Sequence, residues 1–212
     1  MLHGTLKNIR AAAAHLAANP RDLKDVPRWL RELNATTMDL RKPWWPFAVI
    51  DYVESALPPN ARVFEFGGGG SSLWLADHGA HITTVEHDSD WGRQLRDALP
   101  EQQAEVLVIP PSTTGQIASS AHTGFFDDYV SAIDSYPEDF DLVIVDGRAR
   151  VDCALRAGPK VKRGGLLLLD DSNRPRYARA VREFESWPSR SVTGFKPGSS
   201  VPETTTIWTR PF

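Results

Sequence analysis

The sequence predicts an α/β fold: a doubly wound, mainly parallel sheet with an antiparallel C-terminal strand, preceded by N-terminal helices. Three observations carry this. From Ala61 onward, short apolar runs ("RVFEF", "HITTVEH", "AEVLVI", "FDLVIVD", "GLLLLD") alternate with amphipathic segments. Strands alternating with helices imply right-handed crossovers and parallel pairing. The last two runs, "SVTGFKP" and "TTTIWTR", are separated only by "GSSVPE". That is too short for a crossover, so they pair as a hairpin and one of them runs antiparallel. Residues 1–45 show no strand pattern and read as helices.

Each element has its own signal. "AAAAHLAANP" reads as an amphipathic surface helix stopped by Asn19-Pro20; His15 and the weakly apolar alanines separate it from a leader peptide, despite Lys7 and Arg10 ahead of it. "PRDLKDVPRWLREL" gives a second helix. Pro46 suits a first helical turn, followed by Phe47, Ile50, Val53 and Leu57 at helical spacing, and Pro58-Pro59-Asn60 ends that helix. "SSLWLADH" is a short helix closed by Gly79, and "DSDWGRQLRDAL" a helix capped by Ser89 or Asp90. Residues 110–124 form a long polar loop, the one stretch expected to be mobile. "FFDDYVSAIDSY" reads as helix, "ARVDCALRAGPKVKRGG" as helix then turn, and "RPRYARAVREFESW" as the last helix. There is no internal repeat. The division is a helical extension, 1–45, and a main domain, 46–212.

Composition excludes several classes. A net charge of -3 over 212 residues offers no strong field to nucleic acid or an anionic membrane. No apolar run is long enough to span a bilayer. A single cysteine, Cys153, rules out a disulfide framework or a cysteine zinc site within one chain, and reads as a small buried residue on a helix. His78, His81 and His87 flank strands without zinc spacing. The expectation is a cytoplasmic protein with a small-molecule partner, without nucleic acid or membrane; a homodimer stays open.

The stretch "VFEFGGGGSSLWLA", residues 63–76, holds four consecutive glycines, which are costly to order. In a doubly wound sheet, ligands bind beyond the carboxyl ends of the strands. A loop there lets backbone N–H groups and the next helix's N-terminus approach a ligand. A dinucleotide fingerprint needs G-x-G-x-x-G. Counting from Gly67 the third place is Ser72, and from Gly68 it is Leu73, so both frames fail. Glu65 would repel a pyrophosphate and favour an ammonium or sulfonium group.

Glu65, Gly67, Gly69 and Ser71 resemble the first motif of class I S-adenosylmethionine-dependent methyltransferases, acid-x-Gly-x-Gly-x-Gly, with Ser71 in the last glycine's place. "TTVEHD" puts Glu86, 21 residues after Glu65, where the family keeps an acid for the two ribose hydroxyls; a carboxylate can accept both. "DLVIVDGRAR" resembles the fourth motif, with Asp146 at its tip, and "VKRGGLLLLDD" resembles the segment leading into the fifth strand. The match spans roughly residues 44–210. It implies a Rossmann-like sheet with S-adenosylmethionine as cofactor, bound by Glu65, Gly67, Gly68, Gly69, Ser71, Glu86, His87 and Asp146. It also implies methyl transfer to a small molecule, with oxygen as the acceptor atom. The adenine is expected near Ile109 to Ser112, with Gly115; Asp88 and Trp91 flank ribose or adenine, or Trp91 packs its helix.

Methyl transfer is an in-line displacement that depends on alignment. A hydroxyl nucleophile also needs a proton acceptor. Asp146, Asp170 and Asp171 gather where the fourth and fifth strands end, with Asn173 beyond. Three readings stay open. Similarity to catechol and caffeoyl-coenzyme A O-methyltransferases implies a divalent metal such as magnesium on Asp146, Asp170 and Asp171, with Asp171 where that subfamily has Asn. Alternatively Asp146 orients substrate or acts as base while Arg148 or Arg150 clamps an anionic group. Or the acids cap loops and helices while the arginines pair with them. Candidate catalytic residues are Asp146, Arg148, Asp170 and His122. Candidate substrate residues are Trp44 and Trp45 of "KPWWPF", with Arg150, Asp171 and Arg174 from "DGRAR" and "DDSNRPRY"; these phrases resemble a group of small bacterial class I methyltransferases. Two alternatives remain: a non-catalytic methyltransferase-like binding protein, and a nicotinamide-dependent oxidoreductase, which needs a third glycine and a tyrosine-lysine pair that the sequence lacks.

Overall fold

The computed structural model describes residues 2–212, with side chains from Asn8 onward. Helices α1 (Leu2–Ala18), α2 (Val26–Glu32) and α3 (Thr37–Leu40) precede α4 (Phe47–Ala56). The alternating part follows: β1 (Arg62–Phe66), α5 (Gly70–Asp77), β2 (His81–Glu86), α6 (Ser89–Ala98) and β3 (Ala104–Val108). A small hairpin, β4 (Ala118–Ser119) and β5 (His122–Phe125), leads to α7 (Asp127–Ser131). Then come β6 (Phe140–Val145), α8 (Arg150–Ala157), β7 (Val161–Asp170), α9 (Ala178–Glu183), β8 (Ser189–Gly194) and β9 (Glu203–Thr209).

The main sheet runs β3-β2-β1-β6-β7-β9-β8. The five crossover-linked strands pair in parallel, while β9 runs antiparallel to both β7 and β8. The C-terminal hairpin therefore forms as the short "GSSVPE" connection requires. The middle of the sheet is covered on both faces, which is why β6 is buried at every position. Alternation divides its side chains between two cores. Leu142 and Ile144 join Val63, Leu168 and the α4–α5 side; Val143 and Val145 join Phe64, Phe66, Leu167 and the α8–α9 side. The edge strand β8 is polar and mostly exposed, which discourages further strand pairing.

The N-terminal helices pack where β8 turns into β9. Trp29 stacks on Phe195 at 4.5 Å, its Nε1 donates to Ser199 O at 2.7 Å, and Gly198 N donates to Glu32 O at 3.1 Å. Asn8 Nδ2 donates to Ser200 Oγ at 2.6 Å. Cys153 is buried on α8. Among the described residues no helix is long and apolar enough to cross a membrane.

Several boundaries differ from the sequence reading, each for a local reason. Residues 110–124 are not a featureless loop. Ser112 and Phe125 exchange backbone hydrogen bonds at 2.8 and 2.9 Å, and the Asp127 carboxylate accepts from the amides of Gln116 and Ile117. Phe125 is thereby drawn into β5, and the following helix starts at Asp127 and tightens into a 3-10 turn at Ala132–Ser135. β7 begins at Val161, earlier than "GLLLLD", because Val161 pairs with Phe140 before an irregularity that Gly164 accommodates at φ +77°. Pro175 opens a 3-10 turn, Pro175–Tyr177, which shortens α9. Phe195, Lys196 and Pro197 leave β8 rather than extending it, and Phe195 enters the core.

Candidate active site

The glycine loop joins β1 to α5, and three of its four glycines are required by contacts within the chain. Gly67 has φ +90°, and a Cβ there would lie 2.5 Å from Gly147 Cα. A Cβ on Gly68 would lie 2.5 Å from both Leu95 Cδ2 and Thr84 Oγ1. One on Gly70 would lie 2.6 Å from Thr37 O. Only Gly69 has room, with Trp91 at 3.7 Å as its sole neighbour.

Glu65 does not reach the cavity that the loop borders. It is fully buried beneath the loop, where Ser71 Oγ and Ser72 Oγ each donate to one of its carboxylate oxygens. Ser72 Oγ also accepts from Gly69 N at 3.0 Å. Burial pushes the Glu65 carboxyl up to about 7, against the hydroxyl hydrogen bonds that lower it. The expected direct contact with a cationic ligand is therefore replaced by a positioning role: Glu65 holds the serines, and the serines shape the loop.

The cavity in front of the loop has a volume of about 530 Å³, within the range of small-molecule sites. Gly67 to Ser71 form one wall, and Glu86, His87 and Asp88 another. Glu86 Oε1 accepts from the amides of His87 at 2.7 Å and Asp88 at 3.0 Å. Among the described residues none donates to Oε2, which is left for a ligand. His87 Nδ1 lies 2.5 Å from Glu86 Oε1, out of line for a hydrogen bond. Arg148 Nε donates to His87 Nε2 at 3.2 Å, which places the proton of a neutral His87 on Nδ1. Asp88 caps α6 by accepting from Asp90 N and Trp91 N at 2.9 Å. Trp91 lines the cavity and ties to the loop through Nε1 to Gly68 O at 2.8 Å. His122, carried by the β4–β5 hairpin, meets His87 edge to face at 5.0 Å and closes one side. Ile109 to Ser112 and Gly115 do not line this cavity, because that segment is folded back into the hairpin.

A second cavity, about 430 Å³, shares Asp146, Arg150 and Trp44 with the first. Arg150 is buried at its floor. Its Nη2 lies 2.7 Å from Asp146 Oδ1, and its Nη1 donates to Asp170 O at 2.7 Å and lies 3.4 Å from Asp171 Oδ2. Asp170 Oδ1 accepts from Thr205 Oγ1 at 2.5 Å. Burial, then repulsion from Asp146, pushes the Asp170 carboxyl up to about 7, and burial also raises Asp146. Asp171 sits at φ +55° and pairs with Arg174 at 2.8 Å.

The three aspartates do not fit a metal. The Arg150 guanidinium already stands among them, and Lys196 Nζ is 3.7 Å from Asp170 Oδ2. A divalent cation there would meet two fixed positive charges. No group of three or more metal-ligating side chains that could hold an ion occurs among the described residues.

Asp146, Arg148, Arg150, Asp170, Asp171, Arg174, Glu86, His87, His122, Trp44 and the glycines thus border the two joined cavities. Trp45 does not: it is fully buried in the core, while Trp44 is 47% exposed. Adjacent residues entering a helix point in different directions, and only one can face the site. Lys196 and Glu203, which pair in the second cavity, escaped the sequence reading. They stand at either end of the β8–β9 connection and carry no local motif.

No protein-family model matches the chain, and no curated protein matches its sequence. Solved structures do. A methyltransferase-like protein from Silicibacter pomeroyi is 26% identical with a TM-score of 0.54, over 81% of this chain and 92% of that one. Two more show the same fold. The O-methyltransferase TomG from Streptomyces achromogenes, in complex with S-adenosylmethionine, is 18% identical with a TM-score of 0.51, over 77% of each chain. The C-terminal domain of precorrin-6Y C5,15-methyltransferase from Rhodobacter capsulatus is 11% identical with a TM-score of 0.54, over 80% of this chain and 98% of that one. With the strand order and the glycine loop, these likenesses show that the chain has the Rossmann-like fold of the methyltransferases it resembles.

Proposed function

We propose that this chain transfers a methyl group from S-adenosylmethionine to an oxygen of a small molecule. The observation that carries the reading is the junction of the two cavities at Asp146, Arg150 and Trp44. One cavity suits a nucleoside with an amino-acid arm, the other an acceptor, and the shared residues stand where the two would meet. S-adenosylmethionine supplies an electrophilic methyl group on a cationic sulfur.

The chain's own residues do the rest. Glu86 Oε2 accepts from the ribose hydroxyls, and Gly69, lacking a Cβ, lets the ligand lie against the loop. Trp91 and His122 bound the ring system. Arg150 fixes Asp146 in one orientation at the junction, so alignment is supplied before the acceptor arrives. Asp146, whose carboxyl burial raises above the ordinary aspartate range, stands at that junction to take the proton of the acceptor's hydroxyl.

Calorimetry with S-adenosylhomocysteine and with NADH tests the cofactor, and labelled methyl transfer into a metabolite pool tests turnover. Glu86→Gln is expected to weaken S-adenosylhomocysteine at least tenfold, since hydrogen bonds to a charged group contribute about 1.5–3 kcal/mol. Binding of NADH in place of S-adenosylhomocysteine would reject the reading. Cofactor binding with no transfer to any metabolite would favour the non-catalytic alternative.

A further inference from the structure

The second cavity contains one carboxylate more than it has cations. Asp146, Asp170, Asp171 and Glu203 line it. Its cations are each taken by another acid at short range: Arg150 by Asp146 at 2.7 Å, Arg174 by Asp171 at 2.8 Å, and Lys196 by Glu203. Asp170 is the remainder. Its side chain is buried, and Thr205 satisfies Oδ1. Oδ2 lies 3.7 Å from Lys196 Nζ and 3.9 Å from Arg150 Nη1, beyond hydrogen-bond reach of either. Among the described residues no donor bonds Oδ2. Oδ2 is not enclosed by the protein: it opens onto a cavity that also presents the half-exposed indole of Trp44.

We propose that this cavity takes a methyl acceptor carrying a protonated amine, whose N–H is received by Asp170 Oδ2. The proposal rests on the function given above, which makes this cavity the acceptor site. An ammonium group brings both the missing donor and the missing positive charge. A neutral hydroxyl brings only the donor, and a carboxylate brings neither and would face the surplus acid. An indole wall adds attraction for a cation. Burial is the first cause of the elevated Asp170 carboxyl; repulsion from Asp146 and Asp171 adds to it, and Lys196 and Arg150 offset that repulsion only in part. An amine at Oδ2 draws that carboxyl back down, so binding near pH 7 releases a proton.

The test uses the full chain saturated with S-adenosylhomocysteine and three phenols matched in size: tyramine, 4-ethylphenol and 3-(4-hydroxyphenyl)propionate. By calorimetry at pH 7, tyramine is expected to bind at least tenfold more tightly than the other two. Repeating the titration in buffers of different ionisation enthalpy should reveal the released proton. Asp170→Asn is expected to weaken tyramine at least tenfold and abolish the proton release, with the S-adenosylhomocysteine titration reporting that the first cavity is intact. Should Asp170→Asn fail to fold, Trp44→Ala, at a half-exposed position, is expected to weaken tyramine at least threefold. Equal or tighter binding of either non-amine phenol overturns the proposal. So does absence of tyramine binding in a protein that binds S-adenosylhomocysteine. A protein that does not bind S-adenosylhomocysteine at all refutes the underlying function instead.

Discussion

Gly67 and Gly147 interlock: a Cβ on Gly67 would lie 2.5 Å from Gly147 Cα, and one on Gly147 would lie 3.0 Å from Gly67 Cα. The turns leaving β1 and β6 are thus pressed backbone to backbone, which brings the glycine loop beside Asp146. The contact explains a glycine that a ligand alone would not require.

The loop's glycines should therefore separate into two kinds. Gly67→Ala combines a left-handed φ of +90° with a backbone clash, and is expected to lose about 2–4 kcal/mol in urea denaturation. Gly69→Ala meets only Trp91 at 3.7 Å, and should stay within about 1 kcal/mol of the parent. Its added methyl faces the cavity, so S-adenosylhomocysteine should bind more weakly. Equal losses of stability in the two variants would contradict this division.

Glu65 should leave a signature in the dependence of stability on pH. Its carboxyl is raised from 4.5 to about 7 by burial, so the folded protein holds a proton that the unfolded chain gives up. The stability this provides is complete below about pH 4.5 and lost as pH rises through 7, by at most roughly 3 kcal/mol. Glu65→Gln keeps the shape and removes the titration. Between pH 5 and 7 its denaturation midpoint should fall less than the parent's, and the difference isolates Glu65 from other titrating groups. Parallel curves would show that the buried carboxylate does not titrate in this range.

The fold was legible because its signals are local and repeated. Strands such as "FDLVIVD" are short, apolar and β-branched, and each is followed by a segment with helical spacing, so order and direction follow from connection rules. The site was legible at strand ends, where Glu86, Asp146 and Asp170 were placed by counting along β2, β6 and β7. What escaped depends on contacts distant in sequence. Lys196 is 26 residues from Asp170 and lies in a connection without a motif. The direction of Glu65, toward the serines rather than the cavity, follows from packing above it. The 110–124 hairpin forms because Asp127 gathers amides 10 and 11 residues earlier, a pairing that composition does not reveal.

The adjacent tryptophans of "KPWWPF" should behave oppositely. Trp45 is fully buried in the core that joins the N-terminal helices to the sheet, and Trp45→Ala is expected to lose about 3–5 kcal/mol. Trp44 is 47% exposed and borders both cavities. Trp44→Ala should change the melting temperature little while reducing turnover. A stable Trp45→Ala protein with impaired acceptor binding would restore the sequence-based assignment of both residues to the substrate.

Arg150 tests the choice between a metal and a buried cation. It stands within 2.7 Å of Asp146 and 3.4 Å of Asp171, donates to the Asp170 carbonyl, and lies 5.5 Å from the Tyr177 ring centroid. Surrounding carboxylates push its already high pKa further up, against burial, so it remains charged throughout the accessible pH range. Removing one partner from a buried ionic cluster leaves uncompensated charge, and Arg150→Met is expected to cost about 3–5 kcal/mol. In the intact protein the guanidinium occupies the place a divalent ion would need. EDTA should therefore leave both melting temperature and methyl transfer unchanged, and magnesium should not restore the Arg150→Met variant. Loss of methyl transfer on chelation, recovered by magnesium, would show that the carboxylates exchange their arginine for a metal during turnover.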